Sequence, residues 1–343
     1  MGTSDRTDPA RGAVGIREVA RHAGVSPGTV SNVLNRPDRV AAATRDRVHA
    51  AIRELGFVRN GSASTLRAGQ GRTVGLMVLD LANPFFTDVA RGVEDAVYER
   101  GYGLILCSSS ALAEREARNL RMLAEQRVRG VLLTPVDGTA GQLEVLRERG
   151  IATVMLDHTA TRARQCSVAV DDVAGGDLAV GHLLDRGARE IAYVTGPPTI
   201  RQCADRAAGA RRALPADGAL REVVVPTMTV RAGQEAAGTL LAEGLPDAVF
   251  CANDLLALGM LRALTRAGVD VGRDVLLIGY DDIEFSAEAA VPLSSVRQPT
   301  YRLGRVATEL LLDECDNPRG HAHQQVLFQP ELVVRDSTAP AGR

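Results

Sequence analysis

Apolar positions in the first sixth of the chain recur at helical spacing. Ile16, Val19 and Ala20 fall at i, i+3 and i+4, which lays one apolar stripe along a first helix. Ala23-Gly24-Val25 then reads as a tight turn, with Gly24 supplying the left-handed backbone that follows a helix end. Val30, Val33 and Leu34 repeat the stripe on a second helix. Ser26 is its expected N-cap and Pro27 its first residue, because the N–H that proline lacks would go unpaired there anyway. Pro27, Gly28, Thr29, Ser31 and Asn32 are left facing outward. Val48, Ala51, Ile52 and Leu55 predict the buried face of a third helix, capped by Thr44. The linker Arg59–Arg72 has no such stripe, and its Gly61, Ser62, Ser64 and Thr65 are mediocre helix formers, so an isolated helix there should not persist in water.

From Thr73 the pattern changes to short apolar runs alternating with amphipathic helices. Thr73–Leu79, Gly103–Cys107, Val131–Leu133 and Ala152–Leu156 read as strands. Phe85–Arg100, Glu114–Gln126 and a stretch near Gly141–Arg149 read as helices. After a strand at Val168–Val170 the alternation restarts. Helices are expected at Gly176–Arg186, Arg206–Ala213, Gly233–Glu243 and Leu255–Ala267, with strands at Ile191–Val194, Glu222–Val225, Ala248–Cys251 and Val275–Ile278. Strands this apolar, interleaved with helices, predict two parallel sheets covered on both faces.

Composition narrows the function. A chain of 343 residues allows two or three domains, and it has no apolar run of membrane-spanning length. The N-terminal MGTSDRTDPARGAVG carries charge and proline where a signal peptide needs an apolar run, which predicts a disordered tail over 1–15 and a cytoplasmic protein. The net charge of −2 hides an asymmetry: residues 1–72 hold twelve Arg against six acidic residues, so the basic end is the one expected to meet a polyanion. Cys107, Cys166, Cys203, Cys251 and Cys315 stand singly without metal-ligand spacing and read as reduced core residues. His321 and His323 read as part of a solvated loop, and neither a metal nor a cofactor is expected. No Gly-x-Ser-x-Gly elbow, lysine-bearing phosphate loop or dinucleotide turn is present, so the chain is not expected to be an enzyme.

The segment IREVARHAGVSPGTVSNVLN, with TRDRVHAAIRELGFVRN after it, resembles the DNA-binding head of the lactose-repressor (LacI) family, and Ser62–Leu66 resembles that family's hinge helix. The stretch 73–335 resembles its effector domain, itself like the periplasmic sugar-binding proteins. The resemblance implies an all-α helix-turn-helix head at 16–60 and a hinge at 61–72. An α/β effector-binding and dimerisation domain should follow at 73–338, then a tail at 339–343. The effector domain should have two lobes, each a parallel sheet covered by helices: one of about 73–170 and 299–325, the other of about 173–296 and 326–338. Three chain crossings are placed near Val170–Val173, Val296–Pro299 and Gln325–Phe328.

The implied function is a ligand-responsive repressor that binds a palindromic operator as a homodimer. The C-terminal STAPAGR has no leucine heptad of the kind that makes some relatives tetramers. Asn32 is the best base reader, through a bidentate contact to adenine, with Pro27 and Gly28 beside it. Arg17, Thr29, Ser31 and Arg36 suit phosphate oxygens, and the cap Ser26 is counted with them among the DNA-binding residues. Asn60, Ala63 and Leu66 belong to the hinge, and Leu66 is the apolar wedge for the minor groove.

Open parallel sheets bind ligands beyond the carboxyl ends of their strands. That rule and the resemblance together select Asn83, Phe85, Asp171, Gln202, Arg206, Met228, Asn253 and Asp281 as the contacts of a small polar effector, a sugar or related metabolite. Asp254 and Asp282 read as helix caps. A solute-binding protein of a sugar transport system would share the lobes, but it should carry a signal peptide and lack the basic head.

Overall fold

A computed structural model describes residues 14–57, 71–136, 140–160, 165–216 and 218–339. They form two compact units that divide between residues 69 and 70. Most of the predicted tail and hinge, with Asn60, Ala63 and Leu66, lies outside the described residues.

The first unit is three helices around a small core. Helix α1 (Ile16–Ala23) ends on Gly24 at φ 64°, a backbone conformation that costs a side-chain-bearing residue energy. Helix α2 (Pro27–Asn35) starts as expected: Ser26 Oγ accepts the Thr29 N–H at 3.0 Å, with Pro27 at the first position. Helix α3 (Ala42–Leu55) differs, because it begins at Ala42 without a side-chain cap and Thr44 sits inside its first turn. Val19, Ala20, Ala23, Val30, Val33, Val48 and Ala51 make the core, and His22 Nε2 meets Glu54 Oε2 at 2.7 Å to join α1 to α3.

The second unit holds two six-stranded sheets. The first has the order β11-β5-β4-β3-β1-β2, and every pairing in it is parallel. Its strands are β1 (Thr73–Val78), β2 (Gly103–Ser108), β3 (Gly130–Leu133), β4 (Ala152–Leu156), β5 (Ser167–Val170) and β11 (Gln325–Phe328). Helices α4 (Pro84–Glu99), α5 (Ala113–Glu125), α6 (Ala140–Glu148) and α12 (Thr300–Asp316) belong to the same lobe.

The second sheet has the order β12-β10-β9-β8-β6-β7. Its strands are β6 (Ile191–Thr195), β7 (Leu220–Val224), β8 (Ala248–Cys251), β9 (Leu276–Asp281), β10 (Ser294–Arg297) and β12 (Glu331–Val333). They go with α7 (Asp172–Asp185), α8 (Arg201–Ala213), α9 (Val230–Glu243), α10 (Asp254–Arg266) and the one-turn α11 (Glu284–Ala287). The β10–β12 pairing is antiparallel, so this sheet is mixed rather than purely parallel.

Three further features depart from the sequence reading. Strand β11 pairs with β5 and belongs to the first lobe, so the third crossing follows Phe328 instead of falling within Gln325–Phe328. No element was expected between Pro299 and Gln325, yet α12 spans 17 residues there and buries Leu303, Ala307, Leu310 and Leu311 against the first sheet. Its approach to α4 needs two glycines. A Cβ on Gly92 would lie 2.1 Å from the Tyr301 carbonyl oxygen, and one on Gly304 would lie 2.1 Å from that of Val89. Finally, α8 begins at Arg201, one and a half turns before the expected start, which puts Gln202 and Arg206 on one helix face, four residues apart.

Candidate functional site

The carboxyl ends of the strands in both lobes line one cavity of about 210 Å³. Of the eight predicted ligand residues, Asn83, Phe85, Gln202, Arg206, Met228, Asn253 and Asp281 line it. Asp171 does not. It is the N-cap of α7, accepting the Ala174 N–H at 2.9 Å, and its neighbour Asp172 is the carboxylate that turns inward. The first helical position, one residue further on, points a side chain in a different direction from the cap.

Two hydrogen-bonded bridges join the lobes across this cavity. Asn83 caps α4 by accepting the Phe85 N–H at 3.1 Å, and its Nδ2 donates to Asp281 Oδ2 at 3.0 Å. Gln202 Nε2 donates to the Asp157 carbonyl at 2.7 Å and to its Oδ2 at 2.9 Å. Asp157, at the end of β4, was not anticipated from sequence. It is buried at φ 52°, and its Oδ1 has no hydrogen-bond partner among the described residues. Burial, with Asp172 nearby, raises its carboxyl well above the ordinary range, against the opposing pull of Arg206 and Gln202. Asp281 sits at φ 103° and also accepts from Gln298 Nε2 at 2.8 Å. Burial pushes its carboxyl up to about 6, although Arg206 and the two amide donors pull the other way.

Arg206 is the cavity's only buried cation among the described residues, and two of its five N–H donors are committed inside the protein. Its Nε donates to Asp172 Oδ1 at 2.8 Å and its Nη1 to the Ala252 carbonyl at 2.6 Å, while the guanidinium carbon lies 3.6 Å from the Tyr280 ring centroid. Burial opposes its charge, but Asp172 and the neighbouring Tyr280 and Asp281 outweigh burial and hold its pKa above the usual value. Its charge partner is thus Asp172, while the adjacent Asp205 pairs with Arg201 in the preceding turn.

Asn253 is similarly occupied: its Oδ1 caps α10 by accepting the Leu256 N–H at 2.9 Å, and its Nδ2 donates to the Met228 carbonyl at 3.2 Å. Asn253, rather than Asp254, is therefore the cap. The fully buried Asp254 carboxylate accepts instead from the Ile283 N–H and from the hydroxyls of Ser286 and Ser295. Asp282 is no cap either, since it takes Arg335 and Arg297 on its two oxygens. Phe85 and Phe86 form an edge-to-face pair 4.9 Å apart that belongs to the first lobe's core and also lines the cavity.

In the helical unit Arg17, Ser26, Pro27, Gly28, Asn32 and Arg36 are exposed. Thr29 and Ser31 are half-buried, with Thr29 Oγ1 2.9 Å from Ser26 Oγ and Ser31 Oγ accepting from Asn35 Nδ2 at 3.2 Å. Arg17, Arg36 and the Asn32 amide therefore stand clear of the core on α1, just after α2 and on α2.

Residues 15–60 match the family description "Bacterial regulatory proteins, lacI family", and residues 180–338 match "Periplasmic binding protein-like domain". The HTH-type transcriptional repressor PurR of Vibrio parahaemolyticus is 36% identical over 331 residues, covering 94% of this chain and 98% of the relative. The chain belongs to the LacI family of bacterial transcriptional regulators. It is a DNA-binding repressor and not an enzyme. Among solved structures, the Lac repressor dimer bound to operator and the anti-inducer ONPF is 28% identical, with a TM-score of 0.79 over 95% of this chain and 99% of that one. A LacI-family regulator from Enterococcus faecium with bound ribose is 30% identical, with a TM-score of 0.69 over 79% of this chain and all of that one.

Proposed function

We propose that this repressor binds a palindromic operator as a homodimer and that a neutral, polyhydroxylated small molecule, a sugar, controls it from the cavity between the lobes. The observation that carries the ligand class is the cavity's polar lining. Asp80, Asp157 and Asp281 line it, while the charge of Arg206 is neutralised by Asp172. Carboxyl oxygens beside the Asn83 and Gln202 amides suit a ligand rich in hydroxyl groups, and the one buried cation is already paired and does not call for an anion. Ribose bound by the Enterococcus faecium regulator supports the same class.

On the DNA side, Asn32 reads adenine in the major groove, flanked by Pro27 and Gly28, while Arg17, Ser26, Thr29, Ser31 and Arg36 serve phosphates. Asn60, Ala63 and Leu66 order on the minor groove, with Leu66 as the wedge. The protein acts in the cytoplasm. The ligand reports to the DNA by changing the setting of the lobes, which the Asn83–Asp281 and Gln202–Asp157 bridges hold together.

The test is a thermal-shift panel of pentoses, hexoses, disaccharides and nucleosides on the full chain, followed by fluorescence-anisotropy titration of a selected operator with and without the best hit. A monosaccharide that raises the melting point and changes operator affinity bears the reading out. A response to an anionic metabolite alone overturns the ligand class, and indifference to every duplex overturns the DNA role.

A further inference from the structure

A side-chain cluster far from the cavity gathers metal-ligand chemistry from three separate stretches of the chain. Cys166 immediately precedes β5, Glu314 lies in the last turn of α12, and His321 and His323 lie in the loop that leads into β11. One donor atom from each falls within 4.8 Å of all the others. The expected solvated loop is therefore corrected for His321, whose side chain is only 1% exposed because the loop folds back over Cys166.

From these four side chains we infer a binding site for a borderline-soft divalent transition ion of the zinc class, built into the first lobe. Cysteine, two histidines and a carboxylate form a donor set that tetrahedral zinc prefers and that magnesium or calcium does not. Zinc bonds of about 2.0–2.3 Å would bring such donors to roughly 3.3–3.7 Å from one another, so the cluster needs to contract by about 1 Å at its widest.

Three further observations support the assignment. His321 Nδ1 lies 2.6 Å from Asp313 Oδ2, which fixes the tautomer that leaves the Nε2 lone pair facing Cys166 Sγ at 3.1 Å. A ligating histidine held from behind by a carboxylate is how metal sites orient their imidazoles. The Gln324 N–H donates to Cys166 Sγ at 3.3 Å, which holds the sulfur in place beside the imidazoles. Glu314 Oε2 is buried and has no hydrogen-bond partner among the described residues, an orphaned acceptor beside both imidazoles.

Charge also balances. One thiolate and one carboxylate neutralise a divalent ion, and the two histidines bind as neutral ligands. Binding transfers the Cys166 thiol proton to solvent as the sulfur–metal bond forms, with no change in oxidation state. The ion would staple the α12–β11 loop to the start of β5. Both strands at that edge of the sheet run on into crossings between the lobes.

The experiment uses the untagged full-length protein, purified with reductant and stripped with a chelator. Titrated with cobalt(II), it should bind one equivalent per chain, with thiolate-to-cobalt charge-transfer absorption and the intense visible bands of tetrahedral coordination. Zinc at 100 times its Kd should raise the melting temperature by about 5 °C, and excess chelator should reverse the rise. Cys166→Ser should abolish the charge-transfer band, and His323→Ala should remove the tetrahedral spectrum. Asp313→Ala, at an exposed position that touches no metal, should weaken affinity about 10- to 100-fold while leaving the apo melting temperature near wild type. Failure to bind cobalt or zinc at equimolar protein overturns the site. So does a cobalt spectrum indifferent to Cys166→Ser.

Discussion

Arg206 offers the most quantitative test of how the cavity is built. The pair it forms with Asp172 is almost wholly buried, at 6% and 7% side-chain exposure. Removing the cation strands the Asp172 carboxylate in the interior, and breaking a buried pair from one side costs about 3–5 kcal/mol. The lost Ala252 hydrogen bond adds about 1 kcal/mol and the lost Tyr280 contact a comparable amount. Arg206→Met should therefore destabilise the second lobe by about 5–7 kcal/mol, and Asp172→Asn by about 3–5 kcal/mol. The double variant, which leaves neither charge behind, should cost less than either single change.

The readout is built in. There is no tryptophan, and Tyr193 and Tyr280, the two fully buried tyrosines of the five, both lie in that lobe. Urea unfolding followed by near-ultraviolet circular dichroism thus reports the second lobe directly. Costs that add to within about 0.5 kcal/mol would show that the two side chains do not depend on one another and would refute the electrostatic account.

Other predictions follow from the same geometry. Gln202→Ala removes one bridge between the lobes, so calorimetry should find effector affinity reduced about 2- to 10-fold, with operator binding by the ligand-free protein retained. Burial pushes the Asp254 carboxyl from 3.8 up to about 7, with Asp281 adding to the shift. A group raised on folding contributes stability that is complete below its unfolded value and is lost as pH rises through its folded one. Relative to Asp254→Asn, the wild type should therefore lose about 2–4 kcal/mol between pH 4 and pH 8 in paired denaturation curves; an unchanged difference would place the ionised form comfortably among its three donors. Ser26→Ala should cost the helical head about 1 kcal/mol, measured as lost helicity on heating, while Asn32→Ala should leave helicity intact and reduce discrimination of the operator by about 1–3 kcal/mol in anisotropy competition. Gly304→Ala forces a Cβ against the Val89 carbonyl and should destabilise the first lobe by about 1–3 kcal/mol; a neutral outcome would mean that α4 and α12 can part without loss.

Local chemistry was enough to determine the helical head. Gly24, Ser26 and Pro27 act on neighbours one to three residues away, and periodicity read over such distances is decisive. The apolar strands were equally legible, since a strand buried on both faces declares itself by composition. The stripe Leu303, Ala307, Leu310 and Leu311 shows that α12 was legible too, although no element was assigned there.

What tertiary structure alone decided is which side chains meet. The end of a strand says that a residue faces the cleft but not which of its bonds are already taken, so Arg206 and Asn253 proved partly committed to Asp172, Ala252 and Met228. Asp171 and Asp172 differ by one position in sequence and by their whole role in space. Asp157 entered the site through a left-handed backbone that no glycine announced. The third crossing moved beyond Phe328 because strand order depends on pairing between segments more than 150 residues apart. The cluster around Cys166 was invisible for the same reason: ligand spacing along the chain signals a metal only when its loops are local, and here the fold itself sets the distances.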